Sequence, residues 1–496
     1  MLDANNTSQE RDHHMHTTAY GKIMPSPSEE DMHKQQPFSR VAPILKTALL
    51  MGAGGGFLLA TILTISYALS LPLGTWWEAL AQAHGHLQLY GWAGLFVLGV
   101  ALHFLPRLRG TPLAGARLVP WLLGILTASL VLRAISQPAL SVSPSSVWRI
   151  GLMSSGVLEV VAYAGILALV VLTALSGPRP TTRPAYWSVL PFFAGAFCSL
   201  GIASSINLVN VIQTAQESGL VPYSGDTLNV TLGLFGFLVP VALAMSARSL
   251  PMYAGLDGFP RKVLWPLAGI YFTGVILLCV GVEGGPLPAP WASIIDGLGM
   301  ALLGGVVLLF VGIFLSLMRR RGQLPGRVAK LAPSPETLGH TYRQQVKKEQ
   351  THYGPFVGIV ASAYLWAMLG ALLLLIDGGS VLATGGELVA FDAVRHAFAL
   401  GFIALLICGI APRMLPGFSG GRIASPKLVS ATLWLGNAAA MLRVGSLLFA
   451  PLFTGTLGSA IDTFLFSLSG PCGLALAICL AINLWPALRA SPRHVV

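Results

Sequence analysis

The sequence predicts an all-α membrane protein with about twelve transmembrane helices, which form three similar groups of four. Three observations support this fold class. Hydrophobic residues make up 54% of the 496 residues and charged residues only 10%, whereas roughly 25% of the residues in soluble proteins are charged. The apolar residues fall into runs long enough to cross a bilayer, which takes about 20 helical residues. One of these runs recurs twice more along the chain, with shared glycine and proline positions.

The composition also limits the class of partner. A soluble protein of this length could not cover its surface with so few polar residues, and a disordered chain would be far less hydrophobic. The net charge of +11 would suggest a nucleic-acid partner in a soluble protein. In a membrane protein the same excess of Lys and Arg marks the cytoplasmic loops. We therefore expect the lipid bilayer as the partner, and no nucleic acid.

Apolar runs bounded by proline, glycine or charged residues are the candidate spans. Residues 1–42, which precede them, are interpreted as a disordered polar tail without a cleavable signal. A polar connection at 319–354 begins with consecutive arginines and is interpreted as a basic cytoplasmic linker. The predicted limits of the spans are 43–70, 79–105, 116–137, 151–175, 187–212, 228–248, 263–283, 291–318, 355–376, 388–412, 427–449 and 461–485.

The distribution of charge supports twelve spans with both termini in the cytoplasm. In that arrangement, only Arg133, Arg149, Arg395 and Arg443 of the 30 Lys and Arg residues lie on or near the outer side. A wrong number of helices would scramble this alternation. The outer loops carry acidic residues instead, namely Glu78, Glu217, Asp226, Glu283, Asp377, Glu387 and Asp392.

The second, sixth and tenth spans align without gaps. Because the aligned spans are four helices apart, the chain divides into four-helix repeats at 43–177, 186–318 and 355–486. Two duplicated six-helix halves would instead pair the second span with the eighth. The aligned positions include His86/Thr231/His396, Gly91/Gly236/Gly401, Gly99/Gly409 and Pro106/Pro251/Pro416.

Histidine occupies two of the aligned positions near the outer end of the spans. His86 and His396 are predicted to lie at the same depth, because both spans run from outside to inside. Ionisable side chains inside a membrane mark functional sites, and two imidazoles that face each other across a bundle suit the axial positions of a haem. The alternative is a pair of interfacial histidines that hydrogen-bond to backbone or lipid.

Further candidates lie beside these histidines. His84 precedes the first of them by two residues and so points about 200° away on a helix; it is a candidate copper ligand, a supporting group or a hydrated interfacial histidine. Arg395 and Arg443 are candidates to bind haem propionates, with Asp392 or Glu387 as alternative partners. The five cysteines form no C-x-x-C or C-x-x-C-H motif. A haem would therefore be bound without covalent attachment, as b-type haem is.

Histidines on the second and tenth of twelve spans resemble the large subunit of the haem–copper oxidases. In that family the histidines of these two helices hold a haem. This chain departs from the family because Thr231 stands at the repeat position of the sixth span, and the sixth and seventh spans contain no histidine. The copper ligands of that family are therefore missing.

The chain more closely resembles the NnrS family of bacterial membrane proteins. The resemblance rests on two stretches, HGHLQLYGWAGLFVLGVALHFLPR from His84 and RHAFALGFIALLICGIAPRMLPGFSGGR from Arg395. It implies a multi-pass protein of the bacterial inner membrane that binds haem and copper and serves the response to nitric oxide during denitrification. Carried over by position, it implies His84, His86 and His396 as haem or metal ligands. The family often ends this last stretch with a GHTGR-like motif, and this chain has GFSGGR instead.

The expected function is that of an inner-membrane haem protein of NnrS type, in which His86 and His396 bind one haem. No catalytic residue is assigned, because a six-coordinate haem has no open position. Electron transfer to a redox partner, or nitric oxide sensing by displacement of a ligand, fits better. Two other functions stay open: an oxidase-like electron-transfer subunit without copper, and a transporter for a small solute or metal, indicated only by Gly52–Gly56 and Glu159.

Overall fold

Helices joined by loops make up the part of the chain that a computed structural model describes, residues 38–217, 219–254, 256–285, 287–321 and 335–489. The described residues contain no strand. Twelve helices among them are long and apolar enough to cross a membrane. The predicted all-α fold class and the predicted number of spans are therefore confirmed.

Each helix contains most of the apolar run that predicted it, because the hydropathy of a stretch is a local property. Every helix extends beyond the predicted limit at one end or at both ends. Their bounds are Phe38–Ala68, Thr75–Arg109, Ala116–Val142, Ser146–Ser176, Leu190–Gln216, Tyr223–Arg248, Arg261–Val280, Ala289–Arg319, Phe356–Thr384, Phe391–Ser419, Pro426–Leu452 and Gly455–Arg489.

The second, sixth and tenth spans form the centre of the molecule. In their most apolar 18 residues, 83%, 83% and 78% of the positions are buried, whereas the other spans reach 28% to 50%. The three central spans also contact one another. The outer spans expose large apolar side chains, among them Trp121, Trp291 and Trp434, which is what a surface in contact with lipid requires.

Wide helical turns interrupt the three central spans. Each has a π-helical segment, at Leu87–Gly94, Leu232–Leu238 and Ala397–Ala404. These segments begin one residue after His86, Thr231 and His396 respectively. A fourth segment, Gly52–Gly56, lies in the first span. Such turns displace the helix axis and are frequent at functional sites.

Glycines bring neighbouring spans into close contact, as small residues do in membrane helices. A Cβ atom added to Gly99 would lie 2.9 Å from the Leu45 side chain of the first span. One added to Gly409 would lie 3.1 Å from the carbonyl oxygen of Phe356 in the ninth. These glycines of the second and tenth spans therefore pack directly against neighbouring helices.

The predicted polar connection between the eighth and ninth spans is partly helical. Pro335–Tyr353 forms a helix, and Glu349 on it lies 3.0 Å from the Arg413 guanidinium of the tenth span. Residues 322–334 of this linker lie outside the described residues, as do residues 1–37 of the predicted tail.

Candidate functional site

A cavity of about 440 Å³ lies at the end of the bundle where the second and tenth spans begin. We call it the histidine cavity, because His84 and His396 both line it. The first, second, sixth, tenth, eleventh and twelfth spans contribute to its walls. The rest of the lining is mainly apolar and includes Phe57, Leu63, Trp77, Trp92, Leu234, Leu238, Ile403 and Phe466.

His84 is oriented by the first span. Its Nδ1 atom lies 2.8 Å from the carbonyl oxygen of Gly56, which ends the π-helical glycine segment. A Cβ atom at Gly56 would lie 2.8 Å from the Gln88 side chain, so the absence of a side chain permits the two spans to approach here. An Nδ1–H group donated to a carbonyl leaves the Nε2 lone pair free to bind a metal.

His396 has the same kind of support from its own helix. Its Nδ1 atom lies 2.8 Å from the carbonyl oxygen of Asp392, one turn earlier, and 3.3 Å from the Oδ1 atom of the same residue. Its Nε2 atom accepts a hydrogen bond of 3.4 Å from Nε of Arg443. The side chain is 24% exposed, and since the residue lines the cavity, its ring is accessible from that space.

Two arginines lie in the same wall. Nη2 of Arg443 donates a hydrogen bond of 2.5 Å to Oδ2 of Asp392, which is the pairing predicted as the alternative to a propionate. The Arg395 guanidinium lies over the Phe391 ring at 5.1 Å, and its buried Nε–H group has no hydrogen-bond partner among the described residues. The wall therefore has cationic groups that could accept a further anionic partner.

His86 lies on a different side of the second span and does not line the cavity. Its Nε2 atom is 2.9 Å from Oε2 of Glu159 in the fourth span, and both residues are buried. The two neighbouring histidines thus point apart, as the helical spacing predicts. The structure brings His84, and not His86, to the cavity that His396 lines; a ligand role for His86 stays a prediction.

A buried polar network adjoins this site. The Arg133 guanidinium donates from Nη1 to Oδ1 of Asn207 and from Nε to Oε1 of Gln137 at 3.3 Å. Gln137 in turn donates to Oε1 of Gln82 at 2.8 Å, and Gln82 lines the histidine cavity. Charge counting along the sequence placed Arg133 on or near the outer side of the membrane, and the structure shows that its side chain is buried. Its position inside an apolar run was the signal that it is buried and paired.

His103, near the other end of the second span, lies outside the histidine cavity. Its ring packs between Phe38 and Phe418, with ring centroids 5.6 Å and 4.1 Å away. Arg413, at the aligned position of the tenth span, pairs with Glu349. Neither residue lines the histidine cavity.

The two histidines that line the cavity equal in number the axial ligands that a haem can take from a protein. No group of three or more His, Cys, Asp or Glu side chains within the described ranges could hold a metal ion. A porphyrin supplies four nitrogen ligands to its metal, so the protein contributes only the axial ligands. No protein-family model matches the chain, and no curated protein matches it.

Proposed function

We propose that the chain is a multi-pass membrane protein that binds haem and takes part in the response to nitric oxide, as the resemblance to the NnrS family implies. One observation carries the haem proposal. His84 and His396 line one cavity, and each has its Nδ1 atom 2.8 Å from a backbone carbonyl oxygen. This arrangement fixes the tautomer in which Nε2 can bind iron.

The surroundings of the two imidazoles also suit a haem. The apolar walls match the faces of the macrocycle, and a volume of about 440 Å³ is of the order that small-molecule and cofactor pockets have. Arg395 and Arg443 are candidates to neutralise the propionates. When bound, the haem would supply one-electron chemistry and affinity for diatomic gases.

We propose His84 and His396 as the axial ligands. To bind iron, His396 would give up only the 3.4 Å hydrogen bond that Nε of Arg443 donates to its Nε2 atom. His86, the ligand predicted from the sequence, has its Nε2 atom 2.9 Å from Glu159 and would have to leave this buried partner. That exchange would leave a carboxylate unpaired in an apolar interior, which is costly. Both assignments use one histidine from each of the second and tenth spans.

The threefold repeat and the orientation belong to the same proposal. The π-helical segments of the second and tenth spans occupy aligned positions over their full length, and that of the sixth span begins at the aligned position. Gly91, Gly236 and Gly401 lie within them. The excess of Lys and Arg on one side supports cytoplasmic termini in a bacterial inner membrane.

A second candidate function, electron transfer in an oxidase-like subunit without copper, is favoured by the two histidines themselves. If both bind iron, no position is open for a substrate. Nitric oxide would then bind only by displacing one of them, whereas electron transfer needs no displacement.

Absorption spectra of the purified protein test the haem proposal. We expect a Soret band for the wild type, and its loss or a change to a five-coordinate spectrum in His84→Ala and in His396→Ala. His86→Ala and the exposed control His352→Ala should retain the wild-type spectrum. A wild type without a Soret band would exclude a haem protein. An unchanged band in both cavity variants would exclude the proposed ligands.

Addition of nitric oxide to the reduced protein separates the two functions. A new Soret maximum on addition, absent when the gas is omitted, is expected for a protein that binds nitric oxide. A six-coordinate spectrum that does not respond to nitric oxide would favour electron transfer and contradict the proposed role.

A further inference from the structure

A second, smaller cavity lies between the three central spans. Its volume is about 80 Å³. We call it the central cavity. Its lining comes from the second, sixth and tenth spans and the segment after the sixth: Phe96, Val97, Val100, Ala101, Val241, Ala242, Met245, Ser249, Tyr253, Ile403, Leu406, Ile407, Ile410 and Met414.

The central cavity follows the histidine cavity along the axis of the three helices. Ile403 lines both spaces. On the sixth span, Leu238 lines the histidine cavity and Val241, less than one turn later, lines the central one. On the second span, Ala93 and Phe96 stand in the same relation. The wall between the two spaces is therefore about one helical turn thick, roughly 5 Å.

The lining of the central cavity selects the chemistry of an occupant. Every lining side chain is hydrocarbon or thioether except Ser249 and Tyr253, both of which follow the last residue of the sixth span, Arg248. A water molecule needs two to four polar partners, and apolar cavities therefore stay dry and take up apolar guests such as xenon. No ionisable side chain other than the Tyr253 phenol lines this space, which disfavours a charged ligand.

Small side chains keep the cavity open. Ala101 and Ala242 retain 7% and 8% exposure, and Val100 retains 8%, whereas Ala244 and Leu243 beside them on the sixth span are 0% exposed. Protein interiors are otherwise closely packed. A larger residue at either alanine would fill the space.

We infer that the central cavity is a binding site for one small uncharged gas molecule of the size of nitric oxide, separated from the histidine cavity by Ile403. The binding of gas follows from the cavity alone. The role of that binding, to supply or store the diatomic ligand of a haem, rests on the proposed function.

Crystals of the full chain under xenon pressure test the site directly. We expect an anomalous xenon peak between Val100, Ala242 and Ile407 in the wild type. Ala242→Leu should abolish the peak, and Val100→Phe is the second variant if Ala242→Leu does not fold. Ala164→Leu, at an exposed position of the fourth span, is the matched control and should retain it. No peak in the wild type, or an undiminished peak in the filled variants, would overturn the inference.

Flash photolysis of nitric oxide from the reduced haem tests the role. We expect a slow phase of rebinding from within the protein, reduced at least twofold in Ala242→Leu and unchanged in Ala164→Leu. An equal slow phase in both variants would overturn the role. A chain without haem would contradict the proposed function while the xenon result still decided the gas site.

Discussion

The Nε2 atom of His86 lies 2.9 Å from Oε2 of Glu159, and this contact joins the second span to the fourth inside the apolar bundle. Arg133 of the third span and Asn207 of the fifth, themselves hydrogen-bonded to each other, are also fully or almost fully buried. Polar contacts therefore connect four successive spans. In an apolar interior, each of these groups depends on its partner.

Replacement of Glu159 should destabilise the protein strongly. In Glu159→Leu, His86 loses its acceptor and the buried Arg133 loses a nearby opposite charge, so we expect a loss of about 3 kcal/mol in the free energy of unfolding. Glu78→Leu, at an exposed position, is the control and should have little effect. Thermal unfolding in detergent measures both variants. Equal melting temperatures would contradict a structural role for the pair.

If the proposed haem is bound, removal of the Arg443 charge should lower its midpoint potential. In Arg443→Met, a cation beside His396 and Asp392 is lost, and the ferric state becomes relatively more stable by tens of millivolts. A redox titration measures the shift. Arg489→Met, in the last turn of the twelfth span, should leave the potential unchanged. A potential unaffected by Arg443→Met would place the haem away from this wall.

A side chain at Gly299 should destabilise the protein, because the seventh and eighth spans are in contact there. A Cβ atom at Gly299 would lie 2.8 Å from the backbone nitrogen of Leu278 and 3.0 Å from the carbonyl oxygen of Gly274. We expect Gly299→Ala to lower the free energy of unfolding by about 2 kcal/mol. Gly305→Ala, on the same helix with no atom within 4 Å of the added Cβ, should be neutral or stabilising. The reverse order of stability would contradict this contact.

The buried carboxylate of Asp377 should stabilise the conformation of the loop that precedes the tenth span. Its Oδ1 atom accepts hydrogen bonds from the backbone nitrogens of Leu388 at 2.8 Å and Val389 at 3.1 Å. Asp377→Ala leaves both donors without this acceptor, so we expect a loss of about 2 kcal/mol and faster amide exchange at these residues. Asp377→Asn keeps an acceptor oxygen and should retain most of the protection. Hydrogen exchange that is unchanged in Asp377→Ala would show that the bonds contribute little.

Hydropathy alone was sufficient to find the spans, because the need to cross an apolar layer is met within each helix. The run predicted at 116–137 is the helix Ala116–Val142. Charge counting was less informative about individual residues. Arg133 is charged, as loop residues often are, but it is only 2% exposed. Gln137, one turn later on the same helix, and Asn207, on the fifth span, supply its hydrogen-bond acceptors.

The sequence by itself determined that His84 and His86 point to opposite sides of one helix, because each residue turns an α-helix by about 100°. Only the tertiary structure decided what lies on each side. The carbonyl oxygen of Gly56 in the first span contacts His84 beside the cavity, and the carboxylate of Glu159 in the fourth span contacts His86. The helical repeat determines the direction in which a side chain points from its own span. Which residue it contacts in that direction depends on how segments distant in the sequence pack together.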